Sequence, residues 1–291
     1  VKYPNDKKIY TGLDISNLGK YYGNVPPIRG SLNERLKDAK RLGLTRIEVP
    51  FDLVREENEE YLVLNKKIGD IITKEDFVLL YGDNSSKFEG YYVLHTDPEL
   101  KRAHILYWNL AEWRNRYLES IVEFSDFVGK PPSAIEFHPS KPKRSKKYMI
   151  CLILEAFDKF KGAGFSPYIM IENRTGMYIS TVNNMINFYK EVSENLSPNE
   201  LSKFGFCIDI SQLYTQMRKD PVNDLKKLLK DYILGWHIHY RHKPPSNQDS
   251  IDWRCIAKLI SETENAFYLP EVFKFNNIIK TIKYIENMLK H

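Results

Sequence analysis

The sequence has no apolar run long enough to cross a bilayer, no CxxC pair and no GxGxxG motif. The first absence, together with the lack of a signal-peptide core in residues 1–8, leads to the expectation of a soluble, cytoplasmic protein with no membrane partner. The second leaves the cysteines far apart in the sequence. Only three cysteines occur, Cys151, Cys207 and Cys255, and Cys207 lies inside an apolar run, where a reduced, buried thiol is expected. The third leaves a dinucleotide-binding fold without support. An excess of one charge is also missing. The formal net charge of +5 is compatible with nucleic acid but is shared by many cytosolic enzymes. The 19 tyrosines could stack on bases, although aromatic side chains more often serve packing. No low-complexity segment, linker or break in composition divides the 291 residues, and one domain of barrel size is expected over 1–291.

What is present is an alternation of short apolar runs with amphipathic segments. The chain is organised around residues 166–176 (SPYIMIENRTG), where continuous hydrophobicity ends abruptly in Glu172-Asn173-Arg174. Continuous rather than alternating apolar character marks a strand buried on both faces, as in a parallel sheet. Strands are expected at 9–15, 45–51, 91–95, 134–138, 168–172, 204–209, 233–239 and 267–272. Helices are expected at 31–43, 99–127, 146–161, 180–194, 222–231, 252–262 and 276–289, the first capped by Ser31 with Glu34 and stopped by Gly43. Eight strands, each followed by a helix, imply a single (β/α)8 TIM barrel. Residues 52–90 form an irregular insertion between the second and third strands, read as a helix and a hairpin.

The ends of the third to eighth strands carry His95, His138, Glu172, Asp209, His237 and Glu271, separated by 43, 34, 37, 28 and 34 residues. Each separation is about one βα unit, so a barrel gathers all six at its C-terminal face. Neutral imidazole and ionised carboxylate are the ligand set of Zn²⁺, Mn²⁺ or Fe²⁺. Three carboxylates together repel one another, and divalent cations are the simplest compensation. A single histidine or glutamate after an apolar run is more often a hydrogen-bonded loop residue. Six consecutive strand ends with one chemistry are harder to assign to chance.

FHP at 137–139, IENRTG at 171–176, GFCIDISQ at 205–212, GWHIH at 235–239, IDW at 251–253 and PEV at 270–272 occur in the order seen in endonuclease IV. Between His95 and Glu271 the chain resembles that family (AP endonuclease family 2), one of the xylose-isomerase-like barrels, which cleaves DNA at abasic sites. The resemblance implies two divalent metal ions, zinc first with manganese or iron as alternatives. His95, His138 and Glu172 would hold one, and Glu172, Asp209, His237 and Glu271 the other. It also implies hydroxide attack on phosphorus, with Glu172 and Glu271 at the catalytic centre and damaged double-stranded DNA as partner.

The family's motif for a third metal is incomplete here. Gln212 stands where a histidine is expected, and the loop HYRHKPPSNQD offers His239, His242 or Asp249 in place of an Asp-x-His. Thr96-Asp97-Pro98 follows His95 where the family has a tyrosine, and residues 51–57 do not match its gap-probing loop. Lys141, Lys143, Arg144, Lys146 and Lys147 after the fourth strand, and Arg241, His242 and Lys243 after the seventh, are candidate phosphate contacts on the rim. Solvated loops explain them equally well. Arg174 is a candidate either for substrate phosphate or for bracing a ligand. Two further readings use the same residues: an ultraviolet-damage endonuclease, and a sugar isomerase or epimerase acting on a small sugar. The latter needs only Glu172, Asp209, His237 and Glu271, with the two glutamates as acid and base. A barrel that only binds nucleic acid would be expected to have lost ligands.

Overall fold

The computed structural model describes residues 32–41, 43–44, 46–51, 60–61, 66–67, 73–82, 90–96, 99–100, 105–141, 145–263, 266–272 and 275–290. Seven strands form one sheet: β1 (Arg46–Pro50), β2 (Tyr91–Thr96), β3 (Ala134–Phe137), β4 (Tyr168–Glu172), β5 (Phe204–Asp209), β6 (Ile233–His237) and β7 (Phe267–Leu269). Each pairs in parallel with the next in chain order. Every residue of β3, β5 and β6 is buried, which is why these segments read as continuous apolar runs. Parallel neighbours require a crossover, and helices supply it. The curled parallel sheet with intervening helices is a TIM-barrel fold. The strand expected at 9–15 lies outside the described residues.

The helices are α1 (Leu32–Arg41), α2 (Lys74–Tyr81), α3 (Ala111–Val128), α4 (Ser145–Gly162), α5 (Val182–Ser193), α6 (Pro198–Leu201), α7 (Ile210–Met217), α8 (Val222–Leu225), α9 (Trp253–Ser261) and α10 (Phe275–Lys290). Their starts follow local chemistry. Thr181 and Asn184 exchange hydrogen bonds at the head of α5, and Asp252 caps α9 by accepting from the Cys255 N–H. The insertion contains α2 and a hairpin pairing Glu60–Tyr61 with Lys66–Lys67, as its composition suggested.

Three elements depart from expectation. The helix expected over 99–127 begins only at Ala111. Before it, Glu99–Leu100 pairs with Ile105–Leu106 and a 3₁₀ turn covers Tyr107–Asn109. The turn places Trp108 in the core against Phe137, where its indole N–H donates to the carbonyl of His138 at 2.9 Å, and Arg114 bonds the Trp108 carbonyl at 2.6 Å. A straight helix would forfeit that burial, worth about 2–3 kcal/mol for a large apolar side chain. Second, the helix expected over 222–231 is only α8 plus a 3₁₀ turn at Lys230–Tyr232, while α7 precedes it. Asp209 is both the last residue of β5 and the N-cap of α7, so strand and helix join with no loop between them. Third, β7 stops at Leu269 because Pro270 has no N–H to offer the sheet.

Candidate metal centre

Side chains alternate across a strand, so a residue two positions beyond an inward-facing one faces inward again, one step nearer the strand's C-terminal end. Val93, Ala134, Met170, Cys207 and Leu269 belong to one small buried apolar cluster. Two residues further on stand His95, Glu136, Glu172, Asp209 and Glu271, and two beyond Gly235 stands His237. The interior thus changes from hydrocarbon to ligand atoms within one pleat. Gly235 belongs to the lower level for want of space: a Cβ there would lie 3.0 Å from both the Cys207 Sγ and the Met170 Sδ.

His95, Glu136, His138 and Glu172 form a first group whose ligand atoms all lie within 4.8 Å of one another. The Nε2 atoms of His95 and His138 are 2.7 Å apart, and Glu172 Oε2 lies 3.4 Å from the former and in direct contact with the latter. Two imidazole nitrogens at that distance must share a proton or a cation. Glu48 Oε1 stands 2.8 Å from the opposite nitrogen of His95, the Nδ1, which aims Nε2 into the group. An Arg174 Nη1 meets the Nδ1 of His138.

Glu172, Asp209 and His237 form a second group within the same limit. His237 Nδ1 is 3.6 Å from Glu172 Oε1 and 3.3 Å from Glu271 Oε2, while its Nε2 is 3.2 Å from Glu136 Oε1. The two oxygens of Glu172 therefore face different groups. The ends of β4 and β5 are tied by Asn173, whose side chain donates to the Asp209 carbonyl and accepts from the Asp209 N–H, each at 2.9 Å.

A third group contains His239, His242 and Glu271. His239 Nε2 is 3.0 Å from Glu271 Oε2 and 3.3 Å from Asp209 Oδ2, and His242 Nδ1 is 3.6 Å from Glu271 Oε1. The structure does not bring Gln212 or Asp249 into any of these groups. The Gln212 Oε1 accepts from the Thr175 N–H at 3.1 Å, so it braces the turn after β4. Asp249 accepts from Ser246 and from the Trp253 indole. Lys141, Arg241 and Lys243 are exposed. Lys146 is paired with Glu191 on α5. Lys143 and Arg144 lie outside the described residues.

Electrostatics join the groups into one unit. Burial opposes charge on Glu172, but the imidazoles of His138, His237 and His95 outweigh it and hold the carboxyl well below its usual range. Glu271 is likewise held low, against burial, by His237 and His239. Burial raises Asp209, and Glu172 and Glu271 push it further against the pull of His239. His95 is raised well above its ordinary value because Glu48, Glu136 and Glu172 outweigh burial. His237 is raised in the same sense, with Cys207 and Glu136 outweighing burial. The metal-free centre thus balances its carboxylates by keeping protons on histidines.

The donor set fits divalent cations. Glu136 Oε1, Glu172 Oε2, His237 Nδ1 and Glu271 Oε2 are buried without a well-directed hydrogen bond among the described residues. Leaving such atoms unmatched is costly, and a shared cation satisfies several at once.

Glu48 and Glu136 are the residues that the strand-end reading missed. Both lie within strands rather than at the ends, in RIEVP and AIEF. The available signal was periodicity: Glu136 precedes His138 by two and so shares its face.

Neither a protein-family model nor a curated protein sequence matches the chain. Solved structures do. An AP endonuclease, family 2, from Brucella melitensis superposes with a TM-score of 0.60 at 8% identity, covering 92% of this chain and 98% of that one. An L-ribulose 3-epimerase gives 0.58 at 12% identity, with 94% of each chain covered. IolI protein with a bound zinc atom gives 0.51 at 14% identity, covering 89% and 90%. At such identities the likeness is one of fold, and that fold carries both nucleases and sugar epimerases.

Proposed function

We propose that the protein is a two-metal phosphodiesterase that incises damaged DNA, with abasic sites as the first substrate class. The observation that carries this reading is the His95–His138 pair closed by Glu172, with Nε2 atoms 2.7 Å apart. That half-site is superfluous to a one-metal proton shuttle and is what a second cation requires. On this reading His95, His138 and Glu172 hold one ion, with Glu136 against them. Glu172, Asp209, His237 and Glu271 hold the other. Divalent ions there supply Lewis acidity and charge neutralisation for a phosphate.

The chain's own groups do the rest. Glu172, whose two oxygens face different groups, would contribute to both ion sites, and Glu271 would complete the second beside His239. Glu48, 2.8 Å from the His95 Nδ1, would favour a proton there and leave Nε2 to present its lone pair. With a metal on its Nε2, His138 would carry its proton on Nδ1, and the Arg174 guanidinium would turn away from it. Arg174 would then turn toward a substrate phosphate. Lys141, Arg241 and Lys243 at the rim grip the flanking backbone.

A second reading, a sugar isomerase or epimerase, is favoured by one observation. Glu172 and Glu271 both approach His237 Nδ1, at 3.6 and 3.3 Å, which is where an acid–base pair around one metal would stand. A labelled duplex with one abasic site, metal-reconstituted protein and Glu172→Gln as control separate the two. Incision 5′ to the site that is lost in the variant supports the nuclease. Intact DNA with metal bound, together with turnover of a keto sugar, supports the epimerase and sinks the nuclease.

A further inference from the structure

His239 follows His237 by two and faces the same volume, so its residue type alone would make it a metal ligand. Its surroundings say otherwise. Tyr240 to Lys243 closes a two-residue hairpin with reciprocal main-chain hydrogen bonds, Tyr240 N–H to Lys243 O at 2.9 Å and Lys243 N–H to Tyr240 O at 3.0 Å. Its central residues, Arg241 and His242, have φ of 51° and 57°. Such turns usually carry Asn-Gly, because side chains disfavour that backbone region. What the turn achieves is the direction of one N–H: that of His242, which donates to His239 Nδ1 at 2.9 Å. The two imidazoles stack, with centroids 4.6 Å apart and planes 7° from parallel.

Against burial, Asp209 and Glu271 draw protons to the His239 ring and raise it to about 10, but Nδ1 accepts the His242 N–H and has its lone pair engaged, so the ring proton sits on Nε2. That nitrogen faces Glu271 Oε2 at 3.0 Å and Asp209 Oδ2 at 3.3 Å. It donates to two carboxylates and has no lone pair left for a cation. His239 is 1% exposed, so bulk water does not compete. His138 differs, because the donor at its Nδ1 is a half-buried side chain, Arg174, that can turn away. At His239 the donor is main chain.

We propose that His239 is a positioning residue, locked as the Nε2–H tautomer by the turn at Arg241-His242, that orients Asp209 and Glu271 and does not itself bind metal. This rests on the two-metal reading above. Histidine-ring ¹⁵N NMR is expected to show His239 protonated on Nε2 and bare on Nδ1, before and after loading with Zn²⁺. Zn²⁺ titration provides the second readout. His239→Gln, whose amide can still donate, is expected to keep the wild-type number of ions. His239→Leu is expected to weaken one ion by about 10–100-fold, as loss of a ligand's hydrogen-bond partner does. Loss of the Nε2 proton on loading, or coupling of that nitrogen to bound ¹¹³Cd²⁺, would overturn the proposal, as would one ion fewer in His239→Gln. The NMR result does not depend on the variants folding. A wild-type chain that binds no Zn²⁺ at all would instead overturn the two-metal reading.

Discussion

The barrel interior has two levels that differ by one step along the same strands. Below, Val93, Ala134, Met170, Cys207 and Leu269 pack as hydrocarbon and sulfur. Above, at the next inward positions, His95, Glu136, Glu172, Asp209 and Glu271 carry most of the ligand atoms. Backbone geometry is common to both levels, so the difference is one of side-chain chemistry and access. The lower level places buried hydrocarbon and sulfur directly beneath the ligand atoms. Surroundings of low polarity strengthen the charge interactions above them. A ligand level without its floor would be solvated and loose.

Removing the shared carboxylate breaks the upper level most severely. Glu172→Gln is expected to abolish turnover by at least about 1,000-fold, since several kcal/mol of metal-derived stabilisation disappear at 1.4 kcal/mol per decade. Elemental analysis should show bound metal lost with it. Acidity is the next lever. His95 and His237 hold protons well above their ordinary value of 6.5, and loading the two sites would displace one proton from each. The affinity of each site for Zn²⁺ is expected to rise by about tenfold per pH unit until its histidine has titrated, which calorimetry in two buffers measures as proton release.

The same shifts set the metal-free protein's stability. The raised histidines contribute fully below 6.5, and that contribution is lost as pH climbs through their folded values. Depressed Glu172 and Glu271 contribute above 4.5 and are lost as pH falls through theirs. The melting temperature should therefore decline on both sides of the interval from 4.5 to 6.5. A monotonic profile would show that the upper level is not an ion-paired network.

Glu48→Gln tests the support for that level: metal affinity should drop by about 10–100-fold with the fold unchanged by circular dichroism. Gly235→Ala tests the floor. Its Cβ would press on two sulfurs, and urea denaturation should report a loss of about 1–3 kcal/mol with metal stoichiometry preserved.

The strand ends were legible because a buried parallel strand must be apolar until it leaves the core, so a lone imidazole or carboxylate stands out at its edge. His95, Glu172, Asp209 and His237 fall within the strands as expected, and His138 and Glu271 follow theirs by one and two residues. Glu48 and Glu136 were hidden for the same reason. Inside a strand a charged residue reads as an interruption, and only a partner on a neighbouring strand explains it. Helix α7 was illegible because its cap, Asp209, was already counted as a strand end. The segment before α3 carried helical spacing, but the burial of Trp108 overrode it, a tertiary cause with no local trace.

Asn173 has a mechanical consequence. The ladder between β4 and β5 ends with the Asn173 N–H on the Cys207 carbonyl at 3.3 Å, and the Asn173 side chain then adds two further rungs to Asp209. It ties the ends of β4 and β5 through those hydrogen bonds, so the gap between Glu172 and Asp209 is expected to vary little with its occupant. Such a frame would act as a sieve for ionic radius, favouring small cations over large ones. Competition between Zn²⁺ and Ca²⁺ should be lopsided in the native chain and more even in Asn173→Ala; equal discrimination in both would show that the gauge lies elsewhere.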